Sequence, residues 1–111
     1  MSNSNPGLRL DHLYLTARKP DWLAEWYAET FGFRADAGLV ISGGIVLVFQ
    51  QGEPLINPTG KPQFGFRCEK RDELLEIAKK LGAQVRTEPE FCSFQAKDPE
   101  GYLFEIYWEG A

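Results

Sequence analysis

The sequence predicts an α+β domain in which two βαβββ modules form a curled mixed sheet around a cavity. One observation is an internal repeat, because a shift of 51 residues places residues 12–29 on residues 63–80 with a similar order of residue types. Another is that each half alternates short strand-like segments with one amphipathic helix. Modules of roughly 50 residues bury too little surface to be stable alone, so we expect the two to pack together.

Length and composition predict one domain over residues 1–111. The chain is 43% hydrophobic and 25% charged, which is typical of a globular protein. Residues 8–51 form the predicted first module and residues 63–109 the second. Residues 52–62 contain three prolines and two glycines, which indicates a linker.

In the first module, residues 8–17 alternate loosely in polarity and predict a strand. A helix follows, with Asp21 as its expected N-cap and Gly32 at its end. Residues 33–36, 39–42 and 45–51 are the predicted remaining strands. The helix is expected to bury one apolar stripe: Trp22, Leu23, Trp26, Tyr27, Thr30 and Phe31.

The second module repeats this order. Residues 63–69 predict a strand, and Asp72 is the expected cap of a helix that ends at Gly82. Strands are predicted over residues 84–87, 91–97 and 102–109, and the turn before the last is Asp98-Pro99-Glu100-Gly101. The expected buried side of the helix is Leu74, Leu75, Ile77, Ala78 and Leu81.

Alternation along the strands separates an apolar face from a mixed face. Leu13 and Leu15 are expected to face a helix, whereas their strand neighbours face the other way. A mixed face on a curled sheet suits a cavity wall. The predicted polar groups of that wall are His12, Tyr14, Gln63, Arg67, Glu105 and Tyr107.

Charge and hydropathy make several partners unexpected. The net charge of -4 offers no basic surface for nucleic acid. No apolar run approaches the roughly 20 residues that span a bilayer, and residues 1–7 lack the features of a signal peptide. We therefore expect a cytoplasmic protein whose cysteines, Cys68 and Cys92, are free thiols.

Three strings in this order resemble a known superfamily. Residues 98–106, from Asp98-Pro99-Glu100-Gly101 to Ile106, are similar to its closing motif, and residues 10–15 around His12 are similar to its opening strand. Trp26-Tyr27 and Phe31-Gly32-Phe33 resemble its helix end. The superfamily is that of the glyoxalases, bleomycin-resistance proteins and extradiol dioxygenases, the vicinal oxygen chelate proteins, which implies a glyoxalase-like fold.

The resemblance also implies positions for metal ligands. Carried over, the superfamily's two histidines become His12 and Gln63, and its two glutamates become Val48 and Glu105. Two of the four ligands therefore remain, His12 and Glu105. Val48 cannot accept a proton, which disfavours a glyoxalase I proton shuttle. One imidazole and one amide suit iron chemistry poorly. A set of His12, Gln63 and Glu105 is still compatible with one hard divalent ion such as magnesium or manganese.

Simpler roles stand beside these. Glu105 could form an ion pair with Arg67, since a buried carboxylate needs a partner, and Gln63 could line the cavity or bind the linker. Ligand specificity is expected from Tyr14, Val48, Arg67 and Tyr107.

Two functions therefore compete. One is a bleomycin-resistance-like protein that binds a small, planar or cationic organic molecule without the full metal set. The alternative is a divalent-metal-dependent lyase, transferase or dioxygenase-like enzyme that uses His12 and Glu105, so whether the chain is an enzyme stays open. The resemblance implies a homodimer, in which the modules pair within one chain or between two.

Overall fold

A computed structural model describes residues 7–110; residues 1–6, where no signal peptide is expected, and Ala111 lie outside the described part of the chain. The described residues form two βαβββ modules, which confirms the predicted α+β class and element order. The first module contains β1 (His12–Ala17), α1 (Pro20–Phe31), β2 (Arg34–Asp36), β3 (Leu39–Ser42) and β4 (Ile45–Gln51). The second contains β5 (Phe64–Arg67), α2 (Arg71–Leu81), β6 (Arg86–Glu88), β7 (Phe91–Lys97) and β8 (Leu103–Glu109).

The strands form two four-stranded mixed sheets of identical topology. Sheet A has the order β1-β4-β3-β2 and sheet B the order β5-β8-β7-β6. In each, the first and last strands of the module run parallel and the other pairs are antiparallel. Tyr14 pairs with Val48 in sheet A, and Gly65 pairs with Glu105 in sheet B. Val48 and Glu105 therefore hold equivalent positions, as the repeat predicted.

One face of each sheet packs against its own helix. Leu13 and Leu15 contact the core beneath α1, as predicted. Phe64 and Phe66 contact the core beneath α2. Both faces are apolar, so burial of this area is the main stabilising contribution of each module.

Aromatic side chains join the two cores. Trp26, Phe31, Phe64 and Phe66 pack against both buried clusters. Tyr27, which is fully buried, lies with its ring 6.3 Å from that of Phe64. The modules therefore share an aromatic centre, as expected for units too small to bury a core alone.

The predicted N-caps of both helices are wrong, whereas the predicted helix ends at Gly32 and Gly82 are confirmed. Both helices begin earlier, at Pro20 and Arg71, and their N-cap residues, Lys19 and Lys70, make no side-chain capping hydrogen bond. Asp21 and Asp72 lie in the first turn instead, where a carboxylate still interacts favourably with the helix dipole. Proline suits the first helical position because its φ is already helical, which moves the start of α1 to residue 20.

The Glu100 carboxylate, from the second module, hydrogen-bonds the backbone just before α1. Glu100, whose side chain is only 5% exposed, accepts hydrogen bonds from the backbone N–H groups of Arg18 at 3.0 Å and Lys19 at 2.8 Å. The Arg18 guanidinium lies 3.7 Å from the Glu100 carboxylate. The turn after β7 thus connects sheet B to the start of α1.

Two residues assigned to buried helix faces are exposed. Trp22 is 54% exposed and Leu75 is 38% exposed. Trp22 lies about 100° around the helix from the buried Leu23, because successive helical residues are about 100° apart. Leu75 similarly follows the buried Leu74 by one residue.

The first strand is shorter than predicted, and one hairpin needs its glycine. Residues 8–11 lie outside β1, although the Asp11 carbonyl still accepts a hydrogen bond from Val46 N–H at 2.9 Å. Between β2 and β3, Ala37 and Gly38 both have positive φ, and a Cβ at Gly38 would lie 2.9 Å from the carbonyl oxygen of Phe49. Only glycine fits that close approach.

Cys68 and Cys92 are free thiols, as expected. Within residues 7–110, neither helix has the length and apolar character required to cross a bilayer.

Candidate functional site

Each sheet leaves the face opposite its helix uncovered. We call these open face A and open face B. Open face A contains Tyr14, whose ring is 62% exposed, and the half-buried side chains of β3 and β4 around Val48. Open face B is more polar and contains Arg67, Glu105 and Tyr107. All the predicted wall residues lie on, or next to, these two faces.

A pocket lies where β1, the linker and the second module meet. Its volume is about 180 Å³. Gln63 forms two hydrogen bonds with the linker, accepting one from Asn57 N–H at 3.1 Å and donating one to the Leu55 carbonyl at 3.2 Å. Gln63 is therefore a pocket wall residue that holds the linker in place. The lining residues are Tyr14, Leu15, Thr16, Gln50, Leu55, Gln63 and Tyr102.

Tyr102 forms one wall of this pocket. Its role was not predicted from the sequence, in which Tyr102 is only the first residue of a predicted strand. The residue is 1% exposed. Its hydroxyl donates to the Thr16 carbonyl at 2.6 Å and accepts from Leu55 N–H at 3.1 Å. A buried tyrosine hydroxyl needs such partners, and here they join β1, the linker and β8.

Asp98 is a second residue whose role was missed. It is 4% exposed, and it accepts hydrogen bonds from the Tyr27 hydroxyl at 2.7 Å and from the backbone N–H groups of Glu100 and Tyr102. Burial raises the pKa of Asp98 above its ordinary value, although these hydrogen bonds act in the opposite direction. Burial, followed by the Asp98 carboxylate, raises the pKa of Tyr27 strongly. In the sequence, the Asp98-Pro99-Glu100-Gly101 motif predicts only a turn. In the structure, Asp98 also connects the two modules through its hydrogen bond with Tyr27.

His12 lies at the exposed edge of open face A. Its side chain is 43% exposed, and Nδ1 lies 3.1 Å from Asp11 Oδ2. The imidazole meets the Tyr14 ring edge-on at 5.0 Å between centroids. The sequence placed these two residues on one face, and the structure agrees.

The ion pair between Arg67 and Glu105, one of the two alternatives for Glu105, is not formed. In the β5–β8 register Glu105 lies opposite Gly65, and Arg67 lies opposite Tyr107. Arg67 instead lies 5.6 Å above the Tyr107 ring and 3.9 Å from a Glu109 carboxylate oxygen. The hydrogen bond to the Tyr107 hydroxyl is the main cause that raises the pKa of Arg67.

Glu105 has no ion-pair or hydrogen-bond partner for its carboxylate within residues 7–110. It is half-buried and faces a shallow depression of about 340 Å³. Gln95 is its cross-strand neighbour on β7. An unpaired carboxylate on an uncovered face is available to a ligand. The depression is lined by Gln84, Arg86, Ser93, Phe94, Gln95 and Glu105.

Two arginines and two aromatic rings contact one another on open face B. The Tyr107 ring stacks on Phe91 at 6.3 Å, and the Arg86 guanidinium lies 6.0 Å from the centre of the Phe91 ring. Arg67 lies over the Tyr107 ring, so the four side chains form a connected series of contacts. Such cation–π and ring contacts stabilise this arrangement of side chains.

The expected metal ligands do not come together in one chain. Among the described residues, no three His, Cys, Asp or Glu side chains are close enough to hold a metal ion. Tyr14 and Gln63 share a pocket, but Glu105 lies in a different depression, and the amide oxygen of Gln63 already accepts from Asn57. Val48, opposite Tyr14, supplies no donor atom. The donor set of a single chain therefore does not fit a divalent ion.

No family model and no curated protein matches the chain. Among solved structures, the oxidase ChaP-H1 is similar with a TM-score of 0.69 and 20% identity, over 93% of this chain and 97% of that one. The antibiotic binding protein TnmS3 from Streptomyces sp. CB03234 is similar with a TM-score of 0.67 and 17% identity, over 93% and 97%. Lactoylglutathione lyase from Agrobacterium tumefaciens is similar with a TM-score of 0.63 and 19% identity, over 93% and 95%. Nearly full coverage of both chains confirms the glyoxalase-like fold, and one fold hosts many activities.

Proposed function

We propose that this protein binds a small, planar organic molecule between its open faces, without a metal ion. The observation that carries the proposal is Tyr14, an aromatic ring 62% exposed on an uncovered sheet face and at the rim of a preformed pocket. Large exposed aromatic groups beside a concave, partly polar surface are typical of ligand sites. The printed function of TnmS3, antibiotic binding, is compatible with this proposal.

Charge favours a cationic ligand. The chain carries a net charge of -4, and Glu105 offers a carboxylate without a partner in the described residues. Aromatic faces attract cations and planar rings alike. In this proposal Tyr14 stacks on the ligand, and Gln63 shapes the pocket through its bonds to the linker, while Glu105 and Tyr107 form the facing surface.

Replacing Tyr14 by alanine is expected to weaken the binding of a planar cationic dye, acridine orange, about fivefold or more. The reason is the loss of the stacking surface, which contributes about 1 kcal/mol or more in desolvated contacts. Fluorescence titration measures the dissociation constant. Trp22→Ala is the matched control, because Trp22 is similarly exposed but lies on α1 outside the pocket.

The same titration in the presence of EDTA separates the two candidate functions. Unchanged dye binding is expected. The metal-dependent alternative needs a divalent ion held by His12 and Glu105, which EDTA would remove. Binding that EDTA abolishes, and that both His12→Ala and Glu105→Ala weaken, would contradict the metal-free proposal.

We also propose that the open faces meet in a homodimer. The radius of gyration is 15.1 Å, whereas a compact domain of this length has about 13 Å. Leu8 and Leu10, next to β1, are 77% and 62% exposed, and apolar groups clustered in this way are typical of subunit contacts. Symmetric pairing is the commonest assembly of such chains.

Light scattering at micromolar concentration should give twice the chain mass of 12.6 kDa. Leu10→Asp is expected to raise the dimer dissociation constant at least tenfold, because it places a charge in the apolar contact. Leu75→Asp, a matched change at an exposed leucine on α2, should leave the mass unchanged. A wild-type mass of one chain would contradict the dimer.

A further inference from the structure

A separate cavity lies on the helix side of sheet B. It occupies about 240 Å³ between the C-terminal end of α1, strand β5 and α2. Its floor includes Phe66 and Ile106, which belong to the face of sheet B that packs against α2. The pocket beside Tyr14 shares none of its lining residues.

The helix arrangement explains why the cavity is open. α2 packs mainly over β7 and β8, and α1 packs over sheet A. The gap between the helices therefore lies over β5, the edge strand of sheet B. The protein leaves this volume unfilled although its surroundings are apolar.

Three aromatic rings form one wall. Phe33 lies 5.6 Å from Phe31 and 5.4 Å from Phe66, and Phe31 lies 5.8 Å from Phe66, all measured between centroids. Ile77 of α2 also lines the cavity. A ligand that replaced water here would gain apolar burial and ring contacts. A cavity of about 150 Å³ holds benzene, so this one has room for an aromatic ring with a short side arm.

The mouth of the cavity carries an excess of negative charge. Arg67 is already engaged, since it lies 3.8 Å from Glu69 and 3.9 Å from Glu109. Glu73, in the first turn of α2, has no ion pair within residues 7–110. The carboxylate free to meet a ligand at this mouth is therefore that of Glu73.

We propose that this cavity binds a small aromatic ammonium ion, with the ring against Phe31, Phe33 and Phe66 and the ammonium group beside Glu73. The aromatic wall sets the preference for a ring. The carboxylate sets the preference for a cation over an anion. This site lies apart from the pocket beside Tyr14.

The test is a titration of the 15N-labelled full chain with 2-phenylethylammonium, followed by NMR. Saturable shifts are expected at Phe31, Phe66 and Ile77, and not at Tyr14 or Tyr102. Phenylacetate and butylammonium, which lack the cation and the ring respectively, should bind at least tenfold more weakly. Shifts centred on Tyr14, no saturation, or equal binding of phenylacetate would overturn the proposal.

Two variants and one control test which residues form the site. Glu73→Gln should weaken binding at least fivefold, whereas Glu76→Gln, on the same helix but outside the cavity, should not change it. Ile77→Trp should abolish binding by filling the cavity, and the dispersion of the NMR spectrum reports that the variant is folded. If Ile77→Trp instead changed the oligomeric mass, the cavity would be a contact between chains and the proposal would be wrong.

Discussion

Replacing Asp98 by alanine is expected to lower the free energy of unfolding by about 3 kcal/mol, because it leaves several buried donors without an acceptor. Those donors are the Tyr27 hydroxyl and the backbone N–H groups of Glu100 and Tyr102. The loss is a large part of the 5–15 kcal/mol that stabilises a typical domain. Urea unfolding followed by circular dichroism measures it.

Asp36→Ala is the matched control, because Asp36 is an exposed strand residue. Its effect should lie within about 0.5 kcal/mol of zero. Equal losses in the two variants would show that Asp98 does not connect the modules energetically. Asp98→Asn keeps an acceptor oxygen and should fall between the two.

The same site predicts a pH dependence. The pKa of Asp98 is raised in the folded state, so the folded protein binds this proton more tightly than the unfolded chain. Its contribution to stability is therefore complete below the unfolded pKa of about 3.9 and is lost as pH rises through the folded pKa. The free energy of unfolding of wild type minus that of Asp98→Asn should decrease as pH rises from about 4. An increase over the same range would contradict the raised pKa.

Replacing Phe104 by alanine is expected to lower the free energy of unfolding by about 3–5 kcal/mol, the typical cost of truncating a buried aromatic residue. Phe104 is fully buried, and its ring lies 5.6 Å from Phe31, 6.1 Å from Tyr27 and 6.1 Å from Phe66. These contacts belong to both modules, so the cavity would loosen their shared aromatic centre. Thermal and urea unfolding measure the effect.

Phe91→Ala is the matched control, because it makes the same substitution at a less buried position. Phe91 is half-buried on open face B, where its ring stacks on Tyr107. Only about 1 kcal/mol is expected, since less area is buried. If Phe91→Ala were as destabilising as Phe104→Ala, the shared aromatic centre would not be the main connection between the modules.

Strands bounded by turn residues were predictable to the residue. Leu39–Ser42, Ile45–Gln51 and Phe91–Lys97 have the predicted bounds, because turn residues flank them and both neighbours in the sheet are present. The outer ends were not predictable. β1 begins at His12, which pairs with Val46 near the start of β4, and the length of a partner strand cannot be predicted from the residues of β1 alone.

The helix starts show the same division. Aspartates at positions 21 and 72 follow the local pattern of N-caps, but both helices begin earlier, and the backbone before α1 hydrogen-bonds the Glu100 carboxylate, about 80 residues away in sequence. Capping propensity is a local preference, and in α1 it is overridden by Pro20 at the first helical position together with this tertiary contact. No pattern within the helix indicates that contact.

The sequence by itself determined the two modules, the order of elements in each and which face of each strand is apolar, because these follow from the repeat and from side-chain alternation along the strands. Tertiary structure alone decided which side chains meet. Gly65 faces Glu105, so the expected bond to Arg67 is absent, and Gln63 bonds to the linker. It also decided that Asp98 is buried and that a cavity lies between the helices. These outcomes depend on distances between segments far apart in the chain, which local periodicity does not encode.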